Sequence, residues 1–225
     1  MALVKYEEQD NFVQITLDDG KANALSFQMA DELDAALDEA MATGKVMVLA
    51  GRPGKFSAGF DLSVMAGQDE GAQRLLRRGA DIAGRLVKSE RPVIIAVTGH
   101  ALAMGALMCL SADYRIGARG NFKLGLNEVA IGMTLPWFGI ELAQERVVEA
   151  HRHQVVTLAR IYDPDAAVEA GILDRCCDPD DLMDEACKTA DMFANLDMKS
   201  FAGTKARLRE DFDVRWQQAM ARDFG

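Results

Sequence analysis

The stretch LGLNEVAIGMTLP, residues 124–136, holds one carboxylate, Glu128, among Leu126, Val129, Ile131, Met133 and Leu135. An anionic carboxylate in such company loses hydration, so its pKa is expected to rise. A carboxylate raised in this way suits general-base chemistry, taking a proton and giving it back. Two other stretches have the composition of ligand-facing turns. Residues 51–62, GRPGKFSAGFDL, read as a glycine loop that aims backbone N–H groups at a ligand, with Asp61 placed to cap a new helix. They lack the GxGxxG of a dinucleotide fingerprint, the Gly-Lys-Ser/Thr of a P-loop and the GxSxG of a nucleophile elbow. Residues 99–105, GHALAMG, form the second turn; His100 in it is either a structural hydrogen-bonding group or an acid/base group.

The elements that must hold these turns follow from periodicity. Val13, Ile15 and Leu17 alternate, which predicts a half-buried strand over residues 11–17 paired with residues 3–8. Ser26 can cap a helix running to about Met41, with Phe27, Leu33, Leu37 and Met41 inward. KVMVLA at 45–50 and the run at 92–97 read as buried strands, each leading into a glycine turn. A long helix is expected over residues 68–88, with Leu75, Leu76, Ile82 and Leu86 inward and a basic face at Arg74, Arg77 and Arg78. Strands are expected at 114–118 and 121–124. Beyond Pro136 the chain turns helical, at 137–148, 151–160 and 163–171, then a short strand at 172–177, then amphipathic helices at 180–195 and 200–222. No linker rich in Pro, Gly or Ser interrupts it. The expectation is one α/β domain over residues 1–225, with a ββα core to 136 and a mainly helical part from 137.

Composition narrows the class. With 225 residues, 49% hydrophobic and 27% charged, the chain can bury a sizeable core. A net charge of -10 supplies no basic face for nucleic acid, although a few local cations suffice for an anionic small molecule. Residues 93–112 carry no Asp, Glu, Lys or Arg and have the length of a membrane span, but Thr98-Gly99-His100 splits them into a buried strand, a turn and a buried helix, so no membrane partner is expected. Cys109, Cys176, Cys177 and Cys187 lack metal-ligand spacing and read as reduced thiols, and the first ten residues lack the apolar core of a signal peptide. A cytoplasmic protein without metal or redox cofactor is expected.

Taken together, KANALS at 21–26, FSAGFDL at 56–62, residues 91–116 with GHALAMG and the ending SADYRI, and residues 126–136 resemble the crotonase (enoyl-CoA hydratase/isomerase) superfamily. The likeness covers most of the chain, with all four motifs in order. It implies a crotonase-like spiral of ββα repeats with C-terminal helices, assembled as a trimer or a dimer of trimers. It implies an acyl-CoA substrate whose thioester oxygen lies between the backbone N–H groups of Phe60 and Met104, and a first loop that holds the CoA adenine near Ala58. It further implies substrate contacts at Ala22, Ala24, Ser57, Gly59, Asp61, Leu62 and Asn127. Hydratases of the superfamily carry two catalytic glutamates. The later position is Glu128 here, but the earlier one is Leu107. With a single carboxylate and the run Gly125-Leu126-Asn127-Glu128, the chain looks most like the Δ3,Δ2-enoyl-CoA isomerases, in which one base moves a proton from C2 to C4. Another single-base activity (thioesterase, decarboxylase), a hydratase, and a non-catalytic acyl-CoA-binding relative remain open at this point. Met104 stands where many relatives have glycine, so its side chain must point away from substrate. Trp137 and Phe138 are candidates for an acyl pocket or for the core.

Overall fold

The computed structural model describes residues 2–67 and 69–225. Its first sheet has six strands in the order β1 (Val4–Glu8), β2 (Phe12–Leu17), β3 (Val46–Gly51), β5 (Val93–Val97), β7 (Tyr114–Ala118) and β9 (Arg175–Cys177). β1 runs antiparallel to β2, and the other neighbours are parallel. β3 and β5 are buried at every position, as their unbroken apolar runs require of strands covered on both faces. A second, parallel sheet holds β4 (Gly54–Ser57), β6 (Gly99–Leu102) and β8 (Leu124–Gly125). Each β4, β6 or β8 follows a strand of the first sheet, so the chain spirals, giving one strand to each layer per turn.

Helices α1 (Phe27–Thr43), α2 (Leu62–Met65), α3 (Glu70–Lys88) and α4 (Met104–Ser111) return the chain between turns. The main core lies between the first sheet, α1, α3 and α4. Ser26 caps α1 by accepting from the Met29 N–H, and Asp61 caps α2 through the Ser63 N–H, both as the side-chain chemistry predicts. Then come α5 (Trp137–Arg146), α6 (Glu149–Val156), α7 (Pro164–Glu169), α8 (Leu182–Ala194), α9 (Met198–Leu208) and α10 (Glu210–Phe224). α8 covers the other face of the first sheet through Leu182, Ala186 and Ala190. Among the described residues no helix is long and apolar enough to cross a membrane; residues 93–112 instead supply β5, β6 and α4.

Several expectations need correction. The two glycine turns are not wholly irregular: each contains a strand of the second sheet. The strand expected at 121–124 shrinks to Leu124–Gly125, because the Lys123 N–H is taken by His100 Nδ1 at 3.0 Å. The strand at 172–177 starts only at Arg175, since the Ile172 and Leu173 N–H groups turn back to Ala167 O behind α7. The final long helix breaks at Arg209, which is buried and bonded to Val87 O and to Asp113. Met41 is 37% exposed, not inward. The basic face of α3 is spent locally: Arg78 pairs with Asp31 and Asp34, Arg77 with Asp81, and Arg74 lies over the Phe27 ring. That helix starts at Glu70 behind an Asp69 cap, and Gln68, its expected start, lies outside the described residues.

Candidate active site

The three strands of the second sheet end side by side, and the segments that follow them meet around one cavity of about 120 Å³. Ligands of α/β proteins commonly sit beyond the carboxyl ends of parallel strands. After β4 the cavity receives Ala58, Phe60 and Leu62; after β6, Ala103 and Leu107; after β8, Asn127, Glu128, Ile131 and Met133. Met65 and Leu76 complete an apolar wall from α2 and α3.

Glu128 is 6% exposed. Its carbonyl accepts the Ile131 and Met133 N–H groups at 3.1 and 2.9 Å, which closes the loop around a 3₁₀ turn at Val129–Ile131 and fixes the side chain's origin. Oε2 is buried without a hydrogen-bond partner, as is Oδ1 of the neighbouring Asn127. Loss of hydration raises the carboxyl from 4.5 to about 7, opposed only by its own backbone N–H. The cavity thus holds a carboxylate poised to exchange a proton near neutral pH, with apolar walls and no cation to stabilise the anion.

Phe60 lines the cavity, Met104 follows Ala103, which also lines it, and both have backbone N–H groups that their surroundings leave free. Leu25 N–H bonds Gly59 O and Asp61 N–H bonds Leu25 O, a pattern that passes over Phe60. Met104 is the first residue of α4, where N–H groups have no partner within the helix. Among the described residues neither N–H has an acceptor. The peptide before Met104 is turned by Ala103, at φ 48 and ψ -121, a region that residues with a Cβ enter only under strain. Gly59, at φ 99, lies against this turn; a Cβ there would sit 2.7 Å from Ala103 Cβ and 3.4 Å from Met104 N. Met104 itself is fully buried, and its side chain leaves away from the cavity.

The other predicted residues serve the loops. The Ser57 hydroxyl donates to Asn23 O at 2.7 Å and accepts the Gly59 N–H at 3.2 Å, so it braces the loop from a buried position. Asn23 was not anticipated. Its Nδ2 reaches Leu17 O, Lys55 O and Phe56 O at 2.8–3.1 Å, and it ties residues 18–26 to β4. Through it Ala22 and Ala24 lie beside the first loop, with the Ala58 N–H bonded to Ala22 O. Leu62 is 65% exposed at the cavity mouth. His100 lies outside the cavity; its Nδ1 accepts from the Lys123 N–H and its ring meets Phe122 edge-on, so it is a structural group. Burial, with Lys55 and Lys123 nearby, holds its pKa below the usual imidazole range. Phe138 is core, and Trp137 stacks under Arg222 at the surface; neither lines the cavity. Leu76 and Met65 carry no motif that marks them in the sequence, and Ala103 lies in the GHALAMG turn without being singled out within it. A larger groove of about 580 Å³ lies between α1, α3 and α10, but it offers no buried acid, and its Arg85 is paired with Asp34 and Asp38.

Known proteins resemble this chain over most of its length. The sequence profile described as enoyl-CoA hydratase/isomerase matches residues 7–224. A probable enoyl-CoA hydratase of Mycobacterium avium (strain 104) is 31% identical over 206 residues, covering 88% of this chain and 78% of that protein. An enoyl-CoA hydratase/isomerase family protein of Pseudomonas syringae superposes with a TM-score of 0.95 at 38% identity, over 98% of this chain and 96% of its own. An enoyl-CoA isomerase of Mycobacterium tuberculosis gives 0.94 at 34% identity, over 99% and 97%.

Proposed function

This chain belongs to the enoyl-CoA hydratase/isomerase family, has its two-sheet crotonase fold with C-terminal helices and is an enzyme of that family acting on acyl-CoA, and we propose that its reaction is Δ3,Δ2-enoyl-CoA isomerisation with Glu128 as sole base. The observation that carries this reading is the cavity's composition. One buried carboxylate lines it, and Leu107, fully buried, lines it where a second acid would stand. Hydration needs one group to place water and another to manage the proton, whereas moving a double bond needs a single base.

In the proposed sequence Glu128 Oε2 takes a proton from C2 of a 3-enoyl-CoA. The C–H electron pair moves into the thioester, and the dienolate oxygen is held by the Phe60 and Met104 N–H groups. Preorganised donors of this kind are each worth about 3–4 kcal/mol. The same proton then passes from Glu128 to C4: the C3=C4 π pair forms the new C4–H bond, the C1=C2 pair of the dienolate becomes C2=C3, and an oxygen pair restores the thioester carbonyl. Ala22, Ala24 and Ala58 would take the CoA adenine, and Leu62 and Asn127 the acyl end. Products decide the matter. From a 3-enoyl-CoA the expected product is the 2-enoyl isomer, and a 2-enoyl-CoA should give little 3-hydroxyacyl-CoA. Efficient hydration without isomerisation would overturn the reading.

Two further outcomes are expected. Leu107→Glu should fold, at a cost of about 1–3 kcal/mol for a carboxylate at an apolar site, and should hydrate a 2-enoyl-CoA above background. A folded, acyl-CoA-binding variant with no hydration would show that this side chain does not separate the two activities. The proposal also includes a trimer or a dimer of trimers. Val129, Ile131, Trp137, Val148 and Leu158, on the Glu128 loop and the helices after it, are 44–71% exposed. Light scattering at micromolar concentration should give a multiple of three subunits; a monomer would contradict it.

A further inference from the structure

The two free N–H groups come from loops more than forty residues apart, yet both side chains leave on one side, towards α3. The meeting point there is Gly79. A Cβ at Gly79 would lie 2.6 Å from Cε1 and Cζ of Phe60 and 3.1 Å from Sδ of Met104. Real Cβ atoms do not approach other groups to 2.6 Å, so α3 sits this close only because residue 79 has no side chain. A glycine within a helix is unfavourable relative to alanine, which makes its presence in the middle of a nineteen-residue helix a feature to explain. Leu76, one turn earlier on the same face, lines the cavity wall. One face of α3 thus touches the acyl wall and both donor residues.

We propose that Gly79 is a positioning residue for the reaction: its missing side chain seats Phe60 and Met104 together, and that seat sets the spacing of the two backbone donors. This rests on the assignment of those amides as thioester donors. With a methyl group added at 79, the Phe60 ring must shift, and the nearest space is the cavity it already lines. The Phe60 amide turns with it. Glu128, on another loop, is untouched.

The test combines Gly79→Ala, Phe60→Leu and the double variant, with two readouts. The first is kcat and KM on a 3-enoyl-CoA. The second is the infrared carbonyl stretch of a bound saturated acyl-CoA labelled with carbon-13 at the thioester, which reports donor engagement without turnover. Gly79→Ala should lower kcat at least ~10-fold with KM within about threefold, and should lose most of the red shift seen in the parent. Leucine lacks the ring atoms that overlap position 79. The double variant should therefore recover most of the loss relative to Phe60→Leu alone, and it gives the reading if Gly79→Ala does not fold. A folded Gly79→Ala with parental kcat and red shift would overturn the proposal, as would a double variant no better than Gly79→Ala. A parent without a red shift would overturn it too. A parent that shows the red shift lost in Gly79→Ala but does not isomerise would uphold the seat and reject the isomerase reading instead.

Discussion

Glu128→Gln is expected to bind acyl-CoA and to lose turnover on a 3-enoyl-CoA by at least ~100-fold, the lower end of what a positioned base contributes. Glutamine keeps the shape and the polar tip but cannot take the C2 proton. The loss should fall on kcat, because the missing interaction belongs to the transition state. The pH profile of the parent follows from the same group. With the carboxyl raised from 4.5 to about 7, the base is mostly protonated below neutrality. Activity at pH 6 should be about a tenth of its plateau and should rise through pH 7. Stability has the opposite sign. The folded carboxyl holds its proton up to a higher pH than the unfolded one, so stability falls as pH rises from 4.5 through about 7. Glu128→Gln should therefore be more stable than the parent at pH 8, by about 2–3 kcal/mol. A variant with near-parental kcat would remove Glu128 from the mechanism. A variant less stable at pH 8 would mean the carboxylate has a partner in solution.

The largest stability effect is expected away from the cavity, at Asp113. Its Oδ2 accepts the Val93 N–H at 3.0 Å and Lys205 Nζ at 2.8 Å; its Oδ1 accepts from Arg209 Nη2 at 3.3 Å, and Arg146 stands 4.0 Å away. Lys205 and Arg209 are both under 10% exposed. This carboxylate joins the starts of β5 and β7 to the kink between α9 and α10. Burial pushes the Lys205 ammonium down to about 8 against the pull of Asp113, and neighbouring guanidiniums add to the push. Asp113→Ala leaves these cations facing one another. Breaking a buried pair from one side costs about 3–5 kcal/mol, which for a chain of this size is a fall in Tm on the order of 10 °C. The deficit should shrink as pH rises towards about 8, because loss of Asp113 lowers the Lys205 pKa further and the folded variant sheds that proton at a lower pH than the folded parent. Thermal unfolding at pH 7 and pH 9 checks both statements, and an unchanged Tm at pH 7 would contradict them.

Glu128 was legible because its signal is one of contrast, a single carboxylate within an apolar loop, and burial converts that contrast into a raised pKa. Ser26 and Asp61 were legible because capping is local chemistry between residues three or fewer apart. Leu107 could be named only by its likeness to a family pattern. The remainder depended on contacts between distant segments. No composition rule marks Ala103, whose strain exists only because β8 and Gly59 hold the turn from both sides. Gly79 looks like an isolated glycine in a helix until Phe60 and Met104 are packed against it. The periodicity of residues 200–222 is continuous, and the break at Arg209 is made by Val87 O and Asp113, more than ninety residues away. His100 drew notice as a possible acid/base group, and a single backbone N–H explains it.

One shielded base that carries one proton from C2 to C4 should leave an isotopic trace in the product. A 3-enoyl-CoA bearing deuterium at both C2 positions is converted in ordinary water, and the 2-enoyl product is examined by NMR. Glu128 sits in a narrow apolar cavity with Oε2 free of other partners, so part of the abstracted deuterium should reappear at C4 of the product. A 2-enoyl product with hydrogen alone at C4, or a 3-hydroxyacyl product in its place, would contradict the mechanism.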